Sequence, residues 1–383
     1  MLGLNKILIF LSVAIFALEA PSLVQSEQET LAQIGERIFF NANLSLNRNI
    51  SCATCHDPRT AFIDSRQGSI SDGISRGTSR DIASKRNSPS IAYAASIPAL
   101  HTVNKIPVGG FFYDGRAPTL KNQAKHPFLE ESEMGIPNVS VLRQRMFEEA
   151  SFAVRFIEFF GAEVINNDEF FFDSVSDALV AFQRSRVFQK FNSKYDKFLE
   201  GQYTMTALEK KGYQLFFSGV TNCMNCHLSN KNKIKKRDLF TDFNYYNIGT
   251  PRNSSIRDDK KIIDSERDSG LYRNSQFASK ENIGKFKTPS LRNVAVTAPY
   301  MHNGVFRDLK TTIEFYNEHL VTTLPRNKKT INESKRLNTG FKNTSNSILG
   351  LGQPLDKKRV EAIEAFLKIL TDEEYEHLLE AEF

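Results

Sequence analysis

One five-residue motif occurs twice and contains all four cysteines of the chain. It reads Cys-Ala-Thr-Cys-His at residues 52–56 and Cys-Met-Asn-Cys-His at residues 223–227. In such a run the two thiols can bond covalently to the vinyl groups of haem, and the adjacent histidine reaches the iron. A redox dithiol or half of a zinc site would explain one copy. Two copies with no cysteine left over favour two c-type haems. The predicted haem-binding residues are Cys52, Cys55, His56, Cys223, Cys226 and His227.

The N-terminus carries a short apolar segment. Lys6 is followed by a run of about 12 mostly apolar residues, which suits the central region of a signal peptide better than a membrane span of about 20. Residues 24–26 offer a cleavage point, so we predict a signal peptide over 1–26, with an uncleaved anchor as the alternative. Covalent haem attachment is normally completed outside the cytoplasm. We therefore expect a periplasmic protein that is not an integral membrane protein unless the leader stays uncleaved.

The charge pattern excludes one class of partner. The formal net charge of +6 is mild, and four haem propionates would largely offset it. No run of basic residues is interleaved with aromatic residues, so we predict that nucleic acid is not a ligand. The densest basic stretch, residues 231–237, is interpreted as a solvated loop after the second haem motif.

The elements that must position the haems repeat once along the chain. Residues 31–40 and 208–217 each have apolar side chains at helical spacing just before a cysteine pair, as in the entry helix of a cytochrome c domain. Residues 357–370 predict a closing helix, and Leu179, Phe182 and Val187 predict another. We expect a mainly α fold with loop-rich stretches at 41–51, 65–90 and 229–285. The predicted units are two cytochrome c-like domains, 27–200 with the first haem and 201–383 with the second.

Further segments resemble the di-haem cytochrome c peroxidase and MauG family. They are residues 85–91, 111–116 running on to 133–135, 287–304 and 313–317, in the family's order. The resemblance covers nearly the whole chain after the leader. It implies an enzyme in which one haem relays electrons and the other reacts with hydrogen peroxide.

The resemblance assigns the peroxidatic haem to His56. No histidine or methionine lies between Asp64 and Arg86, where many family peroxidases place a removable distal histidine, so we expect an open distal side as in the MauG branch. His101 and His126 are the remaining candidate ligands in this half. Glu133 matches the family's acid/base glutamate, and an exposed acidic residue is the alternative. Gln123 and Pro127 match residues that shape the same pocket.

The second haem, held by His227, is expected to relay electrons. Tyr316 stands where the family places a distal ligand, methionine in ordinary peroxidases and tyrosine in the MauG branch. Met301 is the competing ligand, as a thioether that raises haem potential. Tyr113 stands where the family usually has a tryptophan between the haems, and this chain has no tryptophan. Tyr113 is therefore either an electron relay or a simple aromatic wall.

The resemblance also implies a calcium ion held by oxygen atoms of Asn87, Thr297 and Pro299. Arg116 and Arg292 either pair with haem propionates or form ordinary surface salt bridges. The first functional prediction is a peroxidase that takes electrons from a small periplasmic cytochrome c or cupredoxin. The alternatives are a MauG-like enzyme oxidising a protein or small molecule, and a non-enzymatic electron carrier. A homodimer is compatible with the sequence.

Overall fold

The computed structural model describes residues 29–66, 72–79, 82, 84–228, 237–254, 268–322, 345, 349–350 and 352–380, with no side-chain description for 319–322. The predicted signal peptide lies outside the described residues. The described chain is mainly helical. Its helices are α1 Leu31–Phe40, α2 Cys52–Cys55, α3 Leu120–Leu129, α4 Val139–Met146, α5 Ala150–Phe160, α6 Asp168–Gln183, α7 Lys194–Leu199, α8 Ala207–Phe216, α9 Leu309–Thr322 and α10 Lys357–Lys368. Within these ranges no helix has the length and apolar character of a membrane span.

The first hydrophobic core forms around the crossing of α1 and α6. The Thr30 hydroxyl caps α1, and the Gln33 side chain accepts from the Thr30 backbone N–H in return. Ile34, Ile38 and Phe39 are buried against α6. A Cβ on Gly35 would lie 2.0 Å from the Ala178 carbonyl oxygen, so only glycine permits this close helix crossing. Helices α3, α4 and α5 complete the same core.

The second hydrophobic core repeats the arrangement with α8 and α10. Thr206 caps α8, with Glu209 as the reciprocal partner. A Cβ on Gly212 would lie 1.8 Å from the Ala362 carbonyl oxygen, which again requires glycine at the crossing. Helix α9 packs against α10, and five apolar side chains of the predicted closing helix 357–370 are buried in this core. They are Val360, Ile363, Phe366, Leu367 and Leu370.

Two short antiparallel pairs accompany the helices. Strand β1 His101–Val103 pairs with β2 Ile106–Val108, so that His101 faces Val108. Strand β3 Tyr245–Tyr246 pairs with β4 Phe286–Lys287, so that Tyr245 faces Lys287. A backbone hydrogen bond joins the two halves of the chain here: the N–H of Lys287 donates to the Tyr113 carbonyl at 2.9 Å.

Buried polar contacts also join the two cores. The Tyr93 hydroxyl lies 2.6 Å from Oδ1 of Asp372, and the Asn293 amide donates to Oδ2 of the same carboxylate at 2.8 Å. After α10, residues 373–380 pack back onto the first half, where the Tyr375 hydroxyl donates to the Pro58 carbonyl at 3.0 Å. The C-terminal segment therefore contacts both halves of the molecule.

The mainly α prediction is confirmed, as are the entry helices and the closing helix. Val187 was predicted to lie on a helix, but α6 ends at Gln183 and Val187 is exposed. Helix α7 precedes the predicted boundary at 200/201, and its Tyr195 packs in the second core. The division into two cytochrome c-like domains stays a prediction.

Candidate functional site

The first haem-attachment motif forms a single helical turn, α2, followed by His56. The Nδ1 atom of His56 lies 3.2 Å from the Phe62 carbonyl oxygen. A carbonyl oxygen only accepts hydrogen bonds, so Nδ1 carries the proton and Nε2 is the nitrogen available to a metal. Burial lowers the pKa of His56, which keeps the ring in its neutral, metal-binding form.

The second motif places His227 in the same way. Its Nδ1 atom donates to the Phe240 carbonyl at 2.9 Å, and burial lowers the pKa of the ring. Cys223, Cys226 and His227 line a largely apolar cavity of about 310 Å³. Oriented neutral imidazoles beside paired thiols, with a large apolar cavity at the second motif, fit the two covalent haems that the motifs predict.

Tyr316 and Met301, the two candidate distal ligands, both line the cavity that contains His227. Burial raises the pKa of Tyr316, and the nearby Cys226 and Cys223 raise it further. Among the described residues, no hydrogen-bond partner is found for the Tyr316 hydroxyl. Met301 packs against the second core and adopts a left-handed backbone conformation with φ 71°. The structure therefore brings both candidates to the second haem site.

Glu133 lies in the tight turn that follows helix α3, close enough to the first haem motif for its charge to act on both cysteines. Burial, followed by the charge of Glu130, raises its pKa to about 7, whereas Arg116 acts in the opposite direction. The Glu133 charge in turn raises the pKa of the Cys52 and Cys55 thiols, after the larger effect of burial. The predicted acid/base residue is thus a partly buried carboxyl close to the first cysteine pair.

Gln123 and Pro127 are one helical turn apart on α3 and lie on the same face. The turn after α3 folds back on this face, because the Met134 N–H donates to the Pro127 carbonyl at 3.0 Å. Glu133 is therefore held beside Pro127. His126 is exposed and packs edge-on against Phe112, with ring centroids 5.3 Å apart.

His101 lies on the exposed strand β1, where its Nδ1 atom contacts the Ala99 carbonyl at 2.9 Å. Its ring is thus engaged locally, on an outward-facing strand. The alternative that His101 or His126 binds iron stays a prediction.

Tyr113 lies among aromatic rings between the two halves. Its ring centroid is 6.5 Å from that of His302, and His302 stacks on Phe286 at 3.7 Å. Burial raises the pKa of Tyr113 and lowers that of His302 to about 3. Tyr113, His302 and Phe286 all line the second haem cavity. The residue that replaces the family's tryptophan therefore lies at an aromatic contact next to that cavity.

Four charged groups at this contact were missed by the sequence reasoning. Arg86 lies between Asp268 and Asp114, at 2.5 and 2.8 Å. Lys287 donates through Nζ to the Gly110 carbonyl, and burial lowers its pKa to about 7. The only sequence signal was the position of Asp114 and Lys287 inside the family-like segments, because a pairing between residues 86 and 268 has no local pattern.

The two arginines proposed for haem propionates or surface salt bridges differ in their environment. Arg292 forms a fully buried two-pronged pair with Asp196, at 2.5 and 2.9 Å, so the surface salt bridge expected for it is wrong. Arg116 lies over the Phe112 ring at 3.5 Å and contacts Asp114 at 3.0 Å. It remains more exposed than Arg292 and has its charge near Glu133.

The candidate calcium residues are also brought together. The Asn87 Nδ2 atom lies 2.7 Å from the Pro299 carbonyl oxygen, and the Asn87 N–H donates to the His302 carbonyl at 2.8 Å. Asn87, Thr297 and Pro299 all line the second haem cavity. Among the described residues, no cluster of three histidine, cysteine, aspartate or glutamate side chains could hold a metal ion.

Comparison with known proteins agrees with this geometry. The family model for di-haem cytochrome c peroxidase matches residues 29–204. The methylamine utilization protein MauG of Paracoccus denitrificans (strain Pd 1222) is 39% identical over 375 residues, covering 97% of this chain and 96% of that protein. This chain belongs to the di-haem cytochrome c peroxidase and MauG family. Cytochrome c peroxidase Ccp of Escherichia coli (strain K12) is 27% identical over 288 residues, covering 74% of this chain and 52% of that protein.

Solved structures give the same result. The diheme peroxidase BthA of Burkholderia thailandensis E264 matches with a TM-score of 0.78 and 30% identity, covering 90% of this chain and 87% of that chain. A MauG-like protein associated with microbial copper homeostasis matches with a TM-score of 0.65 and 26% identity, covering 94% and 96%. The predicted family and the prediction of an oxidoreductase enzyme are confirmed, in preference to a non-enzymatic carrier.

Proposed function

We propose that this protein is a periplasmic di-haem enzyme that reduces hydrogen peroxide to water with electrons from a small redox protein. The observation that carries the proposal is the placement of Glu133. Its carboxyl is partly buried next to the first haem motif, and its pKa is raised to about 7. A group with this pKa can both accept and return a proton at neutral pH.

The chain's residues would hold each haem in a fixed orientation. Nε2 of His56 and of His227 are the proximal donors, because both Nδ1 atoms are engaged with backbone carbonyls. When bound, the haem irons would supply the electron-transfer and peroxide-binding chemistry. Tyr316 is the proposed distal donor of the second haem, since its hydroxyl has no hydrogen-bond partner among the described residues and lines the cavity.

Glu133 would perform the proton transfer that peroxide cleavage needs. One carboxylate oxygen would take the proton from the inner peroxide oxygen and return it to the outer oxygen, so that water rather than hydroxide leaves. Gln123 would orient peroxide through its amide, and Pro127 would restrict water on the same face of α3. The missing histidine and methionine between Asp64 and Arg86 support an open distal side.

A calcium ion would bind between the two halves. The Asn87 amide faces the Pro299 carbonyl at 2.7 Å. Amide nitrogen and oxygen are distinguished only by their partners, so a rotated Asn87 amide would direct Oδ1 toward a cation shared with the carbonyl oxygens of Pro299 and Thr297. Calcium prefers oxygen donors of this kind.

A second candidate function is the oxidation of a protein or small-molecule substrate, as in the MauG branch. Two observations favour it: the presence of Tyr316 in the second haem cavity, and 39% identity to a MauG protein over nearly the whole chain.

One pair of measurements distinguishes the peroxidase from the MauG-like enzyme. Steady-state peroxide turnover is measured with reduced cytochrome c or cupredoxin, and periplasmic proteins are screened for oxidative modification. Turnover with a small donor and no protein modification supports the peroxidase.

Glu133→Gln tests the proposed role of the acid/base residue. The substitution keeps the size and hydrogen-bonding capacity but removes the proton transfer, so we expect peroxide turnover to fall by about 10²–10⁴-fold with both haems retained. Glu131→Gln, in the exposed neighbouring position, is the matched control and should leave turnover unchanged. Turnover of the Glu133 variant within a few-fold of wild type would assign Glu133 to the exposed acidic run instead.

A further inference from the structure

Thr78 joins two segments that meet at the first haem site. Its side chain is buried, with 2% of the residue exposed. The Thr78 hydroxyl accepts a bond from the Asn47 N–H at 2.9 Å and donates to Oδ1 of Asn49 at 2.8 Å. The Thr78 carbonyl accepts from the side-chain amides of both asparagines at 3.0 Å. Asn47 and Asn49 belong to the loop that leads directly into Cys52.

The same residue holds the backbone of Glu133. The Thr78 N–H donates to the Glu133 carbonyl at 2.7 Å. Gly77 lies flat against the same turn, since a Cβ there would be 2.3 Å from the Ser132 carbonyl oxygen and 2.5 Å from that of Glu133. The loop before the first haem motif forms a second hydrogen bond to this turn, from the Leu46 N–H to the Met134 carbonyl at 2.7 Å.

Three separate segments are thereby fixed to each other. They are the loop 45–51, the segment 77–79 and the turn 130–135. Within the described ranges, Thr78 is the one residue that forms hydrogen bonds to both other segments: its hydroxyl and carbonyl bond to the loop, and its N–H bonds to the turn. A buried hydroxyl that both donates and accepts has one defined orientation, and a fully satisfied network of this kind is rigid.

We propose that Thr78 is a positioning residue that holds Glu133 in register with the first haem-attachment loop. The proposal rests on the proposed function, because it concerns the residue assigned to proton transfer. A group that moves a proton between two peroxide oxygens must keep its distance from the bound substrate, and a displacement of about 1 Å can cost about 10²-fold in rate. Thr78 acts through Glu133 and does not itself contact the substrate.

Four variants test the proposal in the haem-loaded protein. Thr78→Val keeps the shape but removes the hydroxyl, and Thr78→Ser keeps the hydroxyl but removes a methyl. Asn49→Ala removes two bonds to Thr78 at an exposed position, so folding is not at risk. Asn43→Ala is the matched control, because Asn43 also precedes the first haem motif and is also exposed.

We expect kcat to fall about 10–100-fold in Thr78→Val and less in Asn49→Ala. We expect Thr78→Ser and Asn43→Ala to stay near wild type.

Two readouts separate positioning from general destabilisation. Backbone amide exchange over residues 130–135 should accelerate in Thr78→Val and Asn49→Ala and stay at the wild-type rate in Thr78→Ser and Asn43→Ala. The midpoint of the ascending limb of kcat against pH should move below 7 in Thr78→Val, because a looser Glu133 carboxyl gains water. Glu130 and Arg116, the charged groups that face Glu133, are unchanged in all four variants.

A loss in Thr78→Ser as large as that in Thr78→Val would overturn the proposal, because Thr78→Ser retains the hydroxyl that makes these hydrogen bonds. Unchanged amide exchange at 130–135 in Thr78→Val would overturn it as well. Failure of the proposed function gives a different pattern: Glu133→Gln would then retain turnover, while the exchange measurements would still report whether Thr78 holds the turn.

Discussion

Glu133→Gln is expected to stabilise the folded protein at neutral and alkaline pH, although it removes peroxide turnover. The folded-state pKa of Glu133 is raised from 4.5 to about 7, mainly by burial and then by Glu130. Ionising this carboxyl therefore costs more in the folded protein than in the unfolded chain. Glutamine carries no charge at any pH, so the variant avoids that cost.

The sign and size of the effect follow from the two pKa values. Below pH 4.5 the carboxyl is protonated in both states and contributes no difference. As the pH rises to about 7, the unfolded chain ionises first and the folded protein loses stability relative to the variant; above that pH the difference is constant. Each tenfold change in acidity is worth about 1.4 kcal/mol, which gives a ceiling of about 3 kcal/mol. Because the side chain is partly solvent-accessible, we expect about 1–3 kcal/mol.

Urea unfolding of the haem-loaded wild type and variant at pH 5 and pH 8 measures this difference. The free energy of unfolding of Glu133→Gln should exceed that of wild type at pH 8 and approach it at pH 5. Glu131→Gln, at an exposed neighbouring position, should show no pH-dependent difference. The same stability difference at both pH values would refute the reasoning, because it would place the Glu133 carboxyl in an ordinary solvated environment.

Three further outcomes are expected. Pyridine haemochrome quantification should give two haems per chain, and one haem would contradict the assignment of both cysteine pairs. The all-ferric protein should bind cyanide at the His56 haem without prior reduction, since no histidine or methionine lies between Asp64 and Arg86; binding only after reduction would indicate another distal ligand. Tyr316→Phe should change the low-spin spectrum of the second haem and raise its reduction potential, whereas Met301→Leu should leave both nearly unchanged; the reverse pattern would assign Met301 as the ligand.

The parts of the fold with local signals could be predicted from the sequence. Helices α1, α8 and α10 have apolar side chains at helical spacing, and each structural helix lies within one or two residues of its prediction. The haem-attachment turns have an explicit motif. The glycines at positions 35 and 212 occur at the same place in the two repeats, but their role at a helix crossing becomes visible only when Ala178 and Ala362 are in place.

The contacts between distant segments could not be predicted. Arg86 with Asp268, Tyr93 with Asp372, and Arg292 with Asp196 have no shared local pattern. Each pair depends on how loops with little periodic structure return to the two cores. Thr78 is the clearest case, because its sequence neighbours suggest only a loop, yet it connects the haem-attachment loop to the turn of Glu133. Loop positions of this kind are defined by tertiary hydrogen bonds rather than by residue preferences.

The environment of Tyr113 bears on the choice between the two proposed functions. Its ring centroid is 6.5 Å from that of His302, and His302 stacks on Phe286. A chain of aromatic rings therefore lies beside the second haem cavity although the protein has no tryptophan.

Oxidation of tyrosine, however, generally requires loss of its phenolic proton. Burial raises the pKa of Tyr113, and no hydrogen-bond partner for its hydroxyl is found within the described part of the chain. A neutral phenol without a proton acceptor is a poor site for a radical. Rapid sharing of oxidising equivalents between the two haems through Tyr113 would therefore be slowed. This environment favours the peroxidase over MauG-like oxidation of a protein.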